Sequence, residues 1–288
     1  MMHPAPFEYL AATTVAEACA ELARDPEGTS VLAGGQSLIP RLVRRLERPR
    51  CLVDITKIAE LYELGCTADT LSVSAGVTQR TIELYPPTSG FGVLAQALPG
   101  VGKVTTRNRG TVCGSLANAD PGAELGVCLQ VLGGEVIAIS THGLRRIAAH
   151  DFFRAPRCSA LEADALLHTV RFNRPPAGTT GYFEKVTVRG AGDTPVLSAA
   201  VMARIAGDRA TEVRIGVGGE GQSPVLAPAA ITEALAGSLD DAAIDQAGRL
   251  LAAQLEFTGD SRACADHRRR LVTGVVGRLL RRLRADVP

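Results

Sequence analysis

The chain contains no tryptophan, and aromatic side chains supply only 4% of its residues. Any core must therefore be aliphatic, and a hydrophobic fraction of 46% over 288 residues supplies enough material for one large domain or two modest ones. Net charge is also nearly absent, at +1, so no overall field draws the chain to nucleic acid or to an anionic membrane. Clustered cysteines are missing. The seven present (Cys19, Cys51, Cys66, Cys113, Cys128, Cys158 and Cys264) are odd in number and show no CxxC spacing. That pattern argues against a disulfide framework, a zinc ribbon or an iron–sulfur cluster, and predicts free thiols in a reducing compartment. No run of about eighteen apolar residues occurs, so no membrane span is expected. The opening MMHPAPFEYLAATTVAEACAEL lacks the basic stretch and apolar core of a secretory signal, which makes a cytoplasmic location the expectation. His3, His142, His150, His168 and His267 are scattered without metal-ligand spacing, and no nucleophile elbow or paired-carboxylate signature is present. No metal ligand and no catalytic side chain is expected.

Against these absences stands a regular alternation of short elements. Thr14 followed by Glu17 is a capping-box pattern and predicts a helix to about Arg24, where Asp25-Pro26-Glu27-Gly28 breaks it. Strands are predicted over 30–33, 51–55, 71–76, 135–140 and 165–172. Helices are predicted over 38–47, 81–84 and 92–98, and the run 127–132 is apolar. Asp151-Phe152-Phe153 reads as a compact turn or helical segment. Arg174-Pro175-Pro176-Ala177-Gly178 is the clearest boundary in the chain. Beyond it, three antiparallel strands (181–189, 199–206 and 212–218) precede helices over 229–235, 242–255 and 264–284, an α+β arrangement.

Two glycine turns carry the chemistry. In Leu32-Ala33-Gly34-Gly35-Gln36-Ser37-Leu38 a strand runs into two glycines and a hydroxyl, and a helix follows. Glycine permits positive φ and lets backbone approach a ligand with no Cβ in the way, while the turn's N–H groups favour an anion. The second turn, Arg107-Asn108-Arg109-Gly110-Thr111-Val112-Cys113-Gly114-Ser115, offers the same small residues and donors. It runs on through Ala119 to the carboxylates Asp120 and Glu124, a residue type suited to accepting from ribose hydroxyls. Neither turn is a P-loop or a Rossmann fingerprint. Two separate anion turns in one domain suit a dinucleotide better than a mononucleotide.

AGGQSLIP at 33–40, LVDI at 52–55 and RNRGTVCGSLANADPGAEL at 107–125 together resemble the FAD-binding medium subunit of carbon monoxide dehydrogenase-type molybdenum hydroxylases, a family similar to the flavin domain of xanthine dehydrogenase. DFF at 151–153, Lys185 within YFEKVTVR and the terminal SRACADHRRRLVTGVVGRLL extend the resemblance nearly end to end. It implies a fold of the vanillyl-alcohol oxidase (PCMH) type: an FAD-binding domain over 1–176 with subdomains of about 1–57 and 58–176, then a C-terminal flavoprotein domain over 177–288 with a three-stranded antiparallel sheet and helices. By matched position, residues 33–37 and 111–115 hold the FAD pyrophosphate and Glu124 takes the place of the ribose-binding acid. Val101, Leu166 and Lys185 fall at further flavin contacts, where the Lys185 charge would lie near the flavin ring system. The chain departs from the family pattern at Cys113, which stands where a glycine is usual, so its side chain must point away from the pyrophosphate. LPGVGKVTTRNRGT also lacks the acid and proline common just before the family's arginines.

The resemblance further implies an electron-transfer subunit whose partners are a small protein with two [2Fe-2S] clusters and a large molybdopterin subunit, assembled as a dimer of heterotrimers. Two other readings stay open: a self-sufficient flavin oxidase or reductase of the same fold, and a flavin-free scaffold that keeps the turns. The arginine-rich segment 267–284 carries Leu271, Val275, Leu279 and Leu283 at every fourth position and reads as a packed helix with solvated arginines, docking to a partner being the alternative.

Overall fold

Thr14 opens the first helix, Val15–Arg24, as its pattern predicts: its hydroxyl accepts from Glu17 N at 3.1 Å. The Glu17 carboxylate accepts from Thr13 N at 2.8 Å, one residue beyond the N-cap N–H of an ideal box. In this computed structural model, residues 3–188, 193–206, 209–236 and 239–286 are described. Three short strands, β1 (Glu8–Ala11), β2 (Thr29–Leu32) and β3 (Cys51–Asp54), form a parallel sheet with β3 in the centre. Arg50, just before β3, ties this unit together by binding Glu8, Glu21 and Asp25 at 2.5–2.6 Å.

A second, antiparallel sheet gathers β4 (Leu64–Cys66), β5 (Thr70–Ser74), β6 (Gly134–Ser140) and β7 (Gly143–Ala148) around a later strand. The hairpin of β8 (Phe153–Ala155) and β9 (Cys158–Ser159) intervenes before that strand, β10 (Leu166–Asn173), which lies at the centre in the order β4-β5-β10-β6-β7. A third antiparallel sheet runs β11 (Thr179–Thr187), β12 (Pro195–Ala206), β13 (Arg209–Gly219) and β14 (Gln222–Leu226). Helices Asp241–Gln254 and Ala265–Ala285 close the chain. Two aliphatic cores result: one is built around residues 12–172 with Ala200 and Met202, the other from residues 197–283.

Several expectations are corrected. The C-terminal sheet has four strands, not three. The added strand, β14, contains Pro224 and sits at the sheet edge, where a residue without an N–H costs no ladder bond, so its sequence reads as loop. The predicted end of the first C-terminal strand, Arg189, lies outside the described residues. The helix expected over 38–47 stops at Val43: Arg45 takes φ 57 and Arg41 turns back to pair with Glu47. The run 127–132 belongs to a helix, Glu124–Leu132, in which every residue is buried, including Glu124 and Gln130. A helix enclosed on all sides has no polar face, hence no period to read. In the last helix, Val275, Leu279 and Leu283 are buried as expected, and Arg278 and Arg281 pair with Glu184, Asp241 and Asp245. Arg268, however, falls on the inner face, fully buried, and donates to the carbonyls of Val196, Thr258 and Ala263 and to Asp260. No described helix is long and apolar enough to cross a membrane.

Candidate functional site: a cleft between two glycine turns

The two glycine turns meet backbone to backbone. A Cβ on Gly34 would lie 2.0 Å from the carbonyl oxygen of Arg109, so only glycine lets the 33–37 turn seat against 109–110. Gly35 takes φ +71, which an L side chain rarely adopts. On the other side, Gly110 O accepts from Gln79 N at 2.8 Å, and Val112 N donates to Val77 O at 3.3 Å. Thr111 caps the helix Val112–Asn118 by accepting from Gly114 N at 3.0 Å, and Ala119 ends it in the left-handed region at φ 46. The turns thereby form one edge of a cavity of about 870 Å³, within the size range of small-molecule and cofactor sites. A second cavity of about 260 Å³ adjoins it across Ala33, Gly34 and Thr111.

Of the residues expected at the cofactor, Ala33, Gly34, Gly35, Gln36, Ser37 and Leu38 line the large cavity on one side. Gly110, Thr111, Cys113, Gly114 and Ser115 line it on another, with Val101, Asp120, Glu124 and Leu166 completing the wall. Leu32, Ala119 and Lys185 are not among the residues that line it. Cys113 meets its steric requirement: it sits inside a helix, 2% exposed, and its Sγ turns toward Val73 O at 3.4 Å. Burial pushes this thiol up to about 12, so it stays protonated.

Glu124 and Lys185 are brought together from opposite sides of the predicted boundary. Glu124 is 4% exposed in the first turn of its helix, and the Lys185 ammonium binds its Oε1 at 2.9 Å. Lys185 also donates to the carbonyls of Gly100 and Asp193, the latter at 3.0 Å. Burial raises the Glu124 pKa above the usual carboxylate value, and the Lys185 charge and hydrogen bond oppose that rise. The lysine charge therefore arrives at the cleft already paired, with its ammonium held by three oxygens.

Residues 5–175 match the family model described as the FAD binding domain in molybdopterin dehydrogenase, and residues 182–283 match the CO dehydrogenase flavoprotein C-terminal domain. The chain belongs to this family of FAD-binding oxidoreductase subunits. It is 30% identical over 291 residues to the carbon monoxide dehydrogenase medium chain of Afipia carboxidovorans, with 99% of each chain covered. It is 31% identical over 273 residues to the nicotine 6-hydroxylase medium subunit of Paenarthrobacter nicotinovorans, covering 94% of this chain and 95% of that one. Among solved structures, quinoline 2-oxidoreductase from Pseudomonas putida 86 superposes with a TM-score of 0.91 at 31% identity over 99% of both chains.

The architecture of this flavoprotein suits the cofactor of its family. Gly34 lets the two turns close against each other with no Cβ between them, and the Cys113 thiol is turned toward Val73 O. Wall residues that escaped the sequence reading include Thr29 to Val31 in β2, Gly102 and Lys103, Leu161 to Ala163, and Asp193 to Pro195. None has a motif, because each contributes a wall by placement alone. Gln79 is a further omission. It is buried and lines the cavity, and its Nε2 reaches Thr111 O at 3.4 Å, while Oε1 has no partner. Its only sequence signal is a polar residue just after the cap Thr78.

Proposed function

We propose that this chain is the FAD-carrying electron-transfer subunit of a heterotrimeric molybdenum hydroxylase, standing between iron–sulfur clusters on one partner and an external electron acceptor. The supporting observation is the pair of interlocked glycine turns on a cavity of dinucleotide scale, in a chain that matches the flavoprotein family along nearly its whole length. In this reading the chain has the vanillyl-alcohol oxidase layout, with an FAD-binding domain over 1–176 in two subdomains and a C-terminal domain over 177–288. The partners are a small iron–sulfur subunit and a large molybdopterin subunit, in a cytoplasmic dimer of heterotrimers. When bound, FAD supplies reversible two-electron redox chemistry, which is the cofactor's own.

The residues contribute placement and electrostatics. Backbone donors of 33–37 and 111–115 receive the pyrophosphate, because N–H groups aimed at one point favour an anion. Val101 and Leu166 supply apolar wall that keeps water from the flavin end. Lys185, held by Glu124 and two carbonyls, fixes the C-terminal sheet against the FAD-binding part and sets the polarity at that edge of the cleft. Substrate selection belongs to the molybdenum partner.

The deciding experiment is purification of the native protein with whatever accompanies it, followed by an absorption spectrum. Flavin bands together with a molybdenum-containing large subunit and an iron–sulfur small subunit are the expected result. A flavin-bound chain that purifies alone and is reduced by a small substrate would establish the self-sufficient enzyme instead. A colourless chain that takes up no added FAD would overturn both.

A further inference from the structure

Asp120 lines the cleft, and a row of alternating charges leads away from it. Arg157 lies 3.5 Å from Asp120 and 3.2 Å from Glu220. Glu220 is 3.6 Å from Arg262, which holds Asp260 at 2.6 Å, and Asp260 in turn accepts from the buried Arg268 at 2.7 Å. The row crosses from the FAD-binding part to the C-terminal sheet at a single guanidinium. Arg157 occupies the turn between β8 and β9, Glu220 the turn between β13 and β14, and Asp120 the loop after the Val112–Asn118 helix. The backbone is specialised at the same junction. Ala119, Arg157 and Gly221 take φ values of 46, 59 and 88, and Arg157 N donates to Ala119 O at 3.0 Å. At the far end Arg268 grips Val196 O, next to Thr194 and Pro195 on the cleft wall.

The placement of Asp120 poses an electrostatic difficulty. A carboxylate in the wall of a cleft that receives a pyrophosphate repels it unless its charge is offset. Arg157 is the only cation among the described residues within ion-pair distance of Asp120, and it approaches through Oδ2, while Oδ1 accepts from Gly122 N at 3.0 Å.

Resting on the FAD reading above, we propose that Arg157 is a positioning residue for the cofactor: it neutralises Asp120 from behind and, through Glu220, latches the C-terminal sheet onto the cleft wall. Cofactor affinity is then set partly by a residue that the glycine motifs do not contain and that does not itself line the cleft.

The test measures FAD dissociation constants by flavin fluorescence quenching on the full-length, deflavinated chain, with thermal midpoints recorded without flavin. Arg157→Gln is expected to weaken FAD binding by about tenfold at low salt, a factor that shrinks as ionic strength rises. Arg157→Lys is expected to retain most of the affinity. In an Asp120→Asn background the same Arg157→Gln change is expected to cost less than about twofold, because the charge it offsets is gone. An unchanged dissociation constant, or an equal loss in both backgrounds, overturns the proposal; the second result would make Arg157 merely structural. Should Arg157→Gln fail to fold, Glu220→Gln, followed with salt, gives the same reading: weakened binding that salt erases supports it, and unaltered binding refutes it. A wild-type chain that takes no FAD at all overturns the underlying reading, and this one with it.

Discussion

At Gly34 a single hydrogen decides whether two loops can meet. The Arg109 carbonyl lies where a Cβ would stand, and it is backbone that cannot swing aside. Gly34→Ala is therefore expected to destabilise the chain by about 1–3 kcal/mol, as overpacking does, and to abolish retention of FAD through purification; denaturant midpoints and flavin content measure the two effects. Cys113 shows the opposite case, a side chain in the second turn that is nonetheless accommodated. Its thiol points into the sheet and burial holds it protonated, whereas Cys158 and Cys264 are exposed. Brief treatment of the native protein with a maleimide near pH 8, read by peptide mass spectrometry, is expected to label Cys158 and Cys264 and to spare Cys113 until the chain is unfolded.

The same turns are governed at the level of elements by one cap. Thr111 satisfies Gly114 N and joins an isolated bridge to Thr78, so it holds both the start of its helix and the seating of the turn on the 77–79 segment. Thr111→Ala is expected to cost about 1 kcal/mol of stability and to weaken FAD binding, with Thr111→Ser restoring most of both; thermal unfolding and flavin titration are the measurements. The short sequence signals were sound where a local bond sets the element. Thr14 and Thr111 both cap, and the strands over 51–55 and 135–140 appear within a residue of their expected ends. They failed where neighbours set the element. β7 is an edge strand whose exposed Arg145 and Arg146 mask its character, β14 carries a proline, and Glu124–Leu132 is helical with no polar face.

Over the whole molecule, the two parts are joined at the cleft by buried charge. Lys185 from β11 meets Glu124, and neither has much access to water. Lys185→Met leaves that carboxylate buried without its cation, which is expected to cost about 3–5 kcal/mol. The pH dependence follows from the raised Glu124 pKa. The native chain holds this proton more tightly than the unfolded chain does, so the group's contribution to stability is largest below the ordinary carboxylate range. That contribution is lost as pH rises through the raised value. Without Lys185 the raised value climbs further and the loss steepens. Urea midpoints of wild type and variant between about pH 4 and 8 should therefore diverge as pH increases; parallel curves would show that the pair carries no linkage.

The residues of the two glycine turns could be read directly, because glycine, a hydroxyl cap and a following acid are properties of local sequence and fix local backbone. The first helix, the strands β3 and β6, the interruption at 174–178 and the aliphatic character of the core follow from composition and periodicity in the same way. Only the tertiary structure decided that the two turns touch at Gly34, that Glu124 is bound to Lys185, and that Arg157 stands behind Asp120. It also turned Arg268 inward, out of a segment whose arginines read as solvated. These pairings join residues 37 to 75 positions apart in the chain, and no local rule of spacing reaches that far. They arise when the sheets pack and bury charges that must then find partners.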